Sequence, residues 1–172
     1  DRTNPDRTSA TLLAAWFADF PDVPQTDPFH GFFEELFRNG VTAGGTGGNY
    51  CGDPAVTRDQ MAVFLLKAKL GSAHTPPACT GTVFGDVPCQ GGAFDPWIEE
   101  LASLGITVGC QAAPPPYCPD ATVNRQQMAG CLPKAKNGAA FDPPDCTGRF
   151  AGVQCTPGAG RRDAWCTDRR RD

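Results

Sequence analysis

The chain has 172 residues, 40% of them hydrophobic, and a formal net charge of −4 at pH 7. That apolar share is enough for a core, and the acidic balance argues against a general nucleic-acid role. No apolar run approaches the roughly 18 residues of a membrane-spanning helix, so no membrane insertion is expected. The 20 glycines and 17 prolines punctuate regular apolar stretches and read as turns rather than as disorder. No initiator Met or secretory leader stands at the start, so an exported chain would be a mature form or a fragment.

In chain order, residues 1–10 are polar and read as a tail, and Thr11–Phe20 carries Leu12, Leu13, Trp16 and Phe17 at helical spacing. Pro28–Asn39 predicts a helix, because Phe29, Phe32, Phe33, Leu36 and Phe37 form one apolar stripe and Gly40 follows as a stop. The stripe reads as core, with one face available to a partner subunit. Val41-Thr42 is a short extended run. The glycine-rich stretch Gly44–Gly48 lacks the Lys-Ser/Thr of a phosphate loop and reads as a plain loop. Thr57 predicts an N-cap, with Gln60 closing a capping box, before a second helix whose stripe is Met61, Phe64, Leu65 and Ala68 and whose stop is Gly71.

The same order of words then returns. Phe20-Pro21-Asp22-Val23-Pro24 is answered by Phe84-Gly85-Asp86-Val87-Pro88 at an offset of 64 residues. Glu34-Glu35-Leu36 and Gly40-Val41-Thr42 are answered at 65, and Tyr50-Cys51 and Gln60-Met61-Ala62 at 67. The offset grows where loops lie, as in structural repeats whose helices keep register. The second copy therefore predicts a helix from about Pro96 with Trp97, Ile98, Leu101 and Leu104 as its stripe and Gly105 as its stop. A further helix is predicted after Asn124, ending at Gly138. This last helix must hold Gly130, Cys131 and Pro133, and Pro133 alone costs about 3 kcal/mol there. Cys146-Thr147-Gly148 opens a third copy that loses the pattern after Cys155.

Nine cysteines, with no Cys-x-x-Cys and two histidines, favour bridges over a metal site, and no residue set calls for a cofactor. Cys79–Cys89, Cys110–Cys118 and Cys146–Cys155 each flank a short loop and are the expected disulfides, which implies an oxidising, extracellular setting. Cys51 answers Cys118, but Gly45 stands where its partner would be; Cys131 and Cys166 are also left over. The Glu34-Glu35 and Glu99-Glu100 pairs are helix neighbours that cannot flank one glycosidic bond. His30 and His74 have no partner set for a triad. Catalysis is not expected.

These blocks resemble S-layer homology repeats: the Phe-x-Asp-Val openings at Phe20 and Phe84, the run Ile98–Gly109, Tyr117–Asp120, and Val56–Ala68. The resemblance covers residues 17–155. It implies a mostly α fold of tandem helix–turn–helix repeats in a pseudo-threefold bundle, here stapled by disulfides. It also implies non-covalent attachment to acidic cell-envelope or cell-wall polysaccharide at the cell surface. Carried over position by position, it assigns glycan binding to Arg58 and Arg125, to the opening Asp22 and Asp86, and to Trp97, with Phe32 at the equivalent place. An Arg in a first helical turn lies beside unpaired N–H groups, a combination suited to a carboxylate. The chain departs from the family in having Gln60 and Gln127 where Glu is usual, Asn124 in place of a second Thr57, and Gly152 where a third Asp is expected.

The expected organisation is a tail with the start of a short helix at 1–16, repeat 1 at 17–71, repeat 2 at 72–138, and a partial repeat 3 with a basic tail at 139–172. The expected function is a non-catalytic module anchoring a surface protein to envelope polysaccharide. The alternative is a self-assembling structural subunit of an extracellular fibre or surface layer, with other copies of itself as partners, because a helical stripe left uncovered within the chain is a reason to associate.

Overall fold

A computed structural model describes residues 20–111, 115–142 and 144. The helix expected in Thr11–Phe20, the third copy and the pair Cys146–Cys155 lie outside these residues. The described part is helical: α1 (His30–Arg38), α2 (Arg58–Leu70), α3 (Asp95–Ser103) and α4 (Arg125–Asn137), with one 3-10 turn at Thr46–Gly48 in the glycine-rich loop. No strand forms among the described residues. The runs after α1 and α3 turn back on their helices, Val41 N donating to Leu36 O and Ile106 N to Leu101 O, and an isolated antiparallel bridge joins Thr57 to Thr122.

Helix limits follow local chemistry. α1 begins two residues after Pro28, because Asp27 Oδ1 accepts the Phe29 N–H at 2.7 Å and holds a turn there. Gly40 and Gly105 end α1 and α3 with φ of +65° and +66°. Such left-handed values suit glycine, and a Cβ would also meet Ser72 and Ala139 there at 2.6 and 2.7 Å. α4 opens with the full capping box: Asn124 Oδ1 accepts the Gln127 N–H, and Gln127 Oε1 accepts the Asn124 N–H. α2 has half of it. Gln60 Oε1 accepts the Thr57 N–H at 3.1 Å, but the Gln60 N–H goes to Asp59 Oδ1, which the Thr57 hydroxyl also contacts. Asp59, absent from the α4 sequence, takes the capping place foreseen for Thr57. Pro133 sits inside α4, which runs on to Asn137.

The chain falls into two units, Asp1–Pro54 with Gly71–Ala73, and Ala55–Leu70 with His74–Asp172. In the first, Phe20 packs edge-on to Phe37 and Tyr50, both at 5.3 Å between ring centres, and Tyr50 stacks on Phe33 at 3.9 Å. α1 buries none of its residues completely.

The second unit holds the main core. α2, the second helix of the first copy, packs against both helices of the second copy. Met61, Leu65 and Leu66 from α2 join Ile98 and Leu101 from α3, Cys131 and Ala135 from α4, and Phe84, Val87, Ile106 and Tyr117 from the loops. Lys69 Nζ reaches the Ala135 carbonyl at 2.7 Å, tying α2 to α4. Disulfides join Cys79 to Cys89 and Cys110 to Cys118. Cys131 is also disulfide-bonded, whereas Cys51 is a free, exposed thiol.

Candidate functional site

The first turn of α2 is tied by backbone hydrogen bonds to the loop of the second copy. The copy-two loop clasps it from outside: Arg58 N donates to Ala121 O at 2.9 Å, Asp59 N to Pro119 O at 3.2 Å, and Val123 N to Val56 O at 2.9 Å. Two first-turn N–H groups that a helix cannot satisfy internally are thereby paired with carbonyls of the following repeat. The ring of Tyr117 then lies under the guanidinium of Arg58, 4.8 Å from ring centre to Cζ, and its hydroxyl donates to the Arg58 carbonyl at 2.7 Å.

Arg58 is buried in this arrangement. Loss of hydration pulls its pKa down to about 10, against the opposing pull of Tyr117 and of the Asp86 carboxylate. At neutral pH it remains a cation, held by a ring quadrupole and a nearby anion.

Asp22 and Asp86 do the same job in the two copies. Asp86 accepts the N–H groups of Tyr117 and Cys118 at 2.6 and 2.7 Å. Asp22 accepts those of Tyr50 and Cys51, both at 2.7 Å. Each carboxylate holds a cysteine in the left-handed region, Cys118 at φ 59° and Cys51 at φ 60°, where a side chain with Cβ is strained. The N–H of Tyr50, then burial acting the other way, then the N–H of Cys51 set the Asp22 carboxyl, which ends below its ordinary value.

Trp97 is half-buried on α3, with the His74 ring edge-on at 6.0 Å. His74 Nε2 in turn meets Glu100 Oε2 at 2.7 Å, so the linker after α2 is latched to α3. Glu99, its neighbour, points to the other side. It accepts the N–H groups of Thr80 and Gly81 at 2.6 and 2.9 Å and holds the Cys79–Cys89 loop. Burial raises the Glu99 pKa, but these hydrogen bonds outweigh it and leave the carboxyl below its ordinary value. Cys79, Cys89 and Glu99 bring ligand atoms within 4.8 Å of one another. The two sulfurs are bonded to each other and the carboxylate is occupied, so the trio is a structural staple.

Arg125 differs from Arg58 in one respect: it is exposed at the first turn of α4. No described residue accepts its backbone N–H. Of the five residues singled out from the sequence, Arg58 and Asp86 share one cluster, with Tyr117 between them. Trp97 belongs to the His74–Glu100 latch, Asp22 braces the first copy's loop, and Arg125 faces solvent. Tyr117 was not singled out for this role, although its invariant pairing with a cysteine in both copies was visible as Tyr50-Cys51 and Tyr117-Cys118.

The described part is a helical module with a carboxylate-braced turn in each copy. Residues 19–62 match the S-layer homology domain, so this stretch carries a domain of that family. Domains of this kind anchor proteins at the cell wall or cell surface and are not catalytic. No curated protein and no solved structure matches the chain.

Proposed function

We propose that the chain is a non-catalytic module that holds a surface protein to acidic envelope polysaccharide, with Arg125 and Trp97 as contact residues. The S-layer homology match over residues 19–62 carries this reading. Arg125 supports this reading: an exposed guanidinium beside a first-turn N–H that no described residue accepts is suited to a sugar carboxylate. Trp97 offers a ring face for stacking on a sugar. Within the second unit, Arg58 is buried and Asp86 fixes the Tyr117–Cys118 turn, while Asp22 braces the equivalent turn of the first copy.

The test is a pull-down with purified carboxylated wall glycan. Arg125→Ala is expected to weaken capture about tenfold, Arg125→Lys less, and raised salt to weaken the wild type, because exposed charge pairs are screened. Unchanged capture by Arg125→Ala would refute the assignment. A second reading, a subunit that joins others of its kind into a surface structure, is favoured by the exposed aromatic residues of α1.

A further inference from the structure

Within the second unit α2 of the first copy joins α3 and the Tyr117 loop of the second, and each half of that junction has a counterpart that is more exposed. On α2, Arg58, Ala62 and Leu65 lie at intervals of four and three and are 2%, 0% and 2% exposed. Their counterparts 67 residues on, Arg125, Ala129 and Leu132, form the same stripe on α4. All three are exposed there, Leu132 by 51%. On the receiving side, α3 buries Ile98 and Leu101, whereas the matching Phe33 and Leu36 of α1 are only half-buried. Beside them Phe29 and Phe32 are 59% and 68% exposed.

The backbone shows the same pattern independently. The carbonyls of Pro119 and Ala121 take N–H groups from the first turn of α2. Their counterparts, Gly52 and Pro54, accept from no described residue, and neither does any described residue accept from Arg125 N. The Tyr117 hydroxyl is bonded to the Arg58 carbonyl, while the Tyr50 hydroxyl has no partner among the described residues. The sequence holds two tyrosines, and the Tyr-Cys-Pro-Asp order of Tyr117–Asp120 does not recur in residues 139–172. The ring that could serve Arg125 as Tyr117 serves Arg58 is therefore a Tyr50. Asp22, braced against the Tyr50 backbone as Asp86 is against Tyr117, adds the matching negative charge.

We propose that copies of this chain join head to tail: the Arg125, Ala129 and Leu132 face of α4 in one copy packs on α1 and Tyr50 of the next, as α2 packs on α3 and Tyr117 within a chain. The contact is heterologous, with different surfaces on its two sides, so it propagates or closes into a ring rather than stopping at a pair. It deepens the self-association reading and rests on it.

Sedimentation of the oxidised 172-residue chain over a range of concentrations, without glycan, tests both. The average mass is expected to rise with concentration. Leu132→Glu and Phe32→Glu, each on an exposed position and each checked for unchanged helicity, are expected to sediment as monomers, with association weakened at least tenfold. A one-to-one mixture of the two variants is expected to form dimers and nothing larger, since one intact α4 face and one intact α1 face remain. Wild-type chain that stays monomeric throughout overturns assembly and junction together. Assembly that survives both substitutions leaves self-association standing and overturns this junction. Assembly lost in Phe32→Glu alone means α1 pairs with α1, and also overturns it.

Discussion

α2 and α4 are the same helix written twice and placed in different surroundings. Both open on a capped first turn with an arginine, carry Gln-Met-Ala next, and stop at a glycine. α2 is wrapped on two sides, and its arginine is a core residue over a tyrosine ring. α4 buries Cys131 and Ala135 and leaves its arginine in water. The difference shows that an arginine following the N-cap is not fixed by its local sequence as structural or available. What settles it is whether a following repeat supplies the loop that covers it.

Substitutions can break this comparison, and the largest effect is expected at Arg58. Arg58→Ala removes a buried side chain and its ring contact and is expected to destabilise the second unit by about 3 kcal/mol. Arg125→Ala is expected to change stability by no more than about 0.5 kcal/mol. Urea unfolding of the two variants measures both, and equal losses would refute the contrast.

The loops sharpen it next. Cys110→Ser with Cys118→Ser is expected to cost about 2–3 kcal/mol. The converse change tests the first copy: a Cβ built on Gly45 would stand 2.6 Å from Cys51 Sγ, the place Cys110 holds in the second copy. Gly45→Cys is therefore expected to bridge to Cys51 with a small shift, consuming the free thiol and adding about 2 kcal/mol. Thiol titration and thermal unfolding check this, and a rise rather than a fall in free thiols relative to the parent chain would count against equivalence of the two loops.

A smaller effect is expected from acid. Asp22 and Glu99 are both held below their ordinary values by hydrogen bonds from backbone N–H groups, after burial has acted in the opposite direction. A depressed carboxyl adds stability above its unfolded pKa and loses it as pH falls through the folded value. Stability is thus expected to be level above about pH 5 and to decline below about pH 4. Asp22→Asn should flatten the decline at the Tyr50 loop, and Glu99→Gln at the Thr80 loop, as read by hydrogen exchange at each. The smallest change concerns shared use of Arg125: short acidic glycan fragments should lower self-association, because both claim the same guanidinium. Association unaffected by saturating glycan would separate the two surfaces.

Much of this was legible in the chain itself. The helices end at the glycines the sequence marks, and the bridges at Cys79–Cys89 and Cys110–Cys118 follow from cysteines flanking short loops. Both rest on neighbours in sequence. Arg58 was not legible, because a cation at a helix start reads as solvated; its cover is Tyr117, 59 residues away. Nor could periodicity show that α2 would pack with the helices of the copy after its own. The N–H partners of Asp22 and Asp86 were hidden for the same reason, since each lies about 30 residues along the chain.

The carboxylate brace has one more consequence. Asp86 shapes the turn at Cys118 through main-chain groups alone, as Asp22 does at Cys51 where no bridge exists. The turn therefore owes its form to nothing that a reductant can remove. A nascent chain reaching an oxidising milieu would already hold the sulfur of Cys118 opposite that of Cys110, and among nine competing thiols the correct pair would meet first, sparing the chain much mispairing and reshuffling.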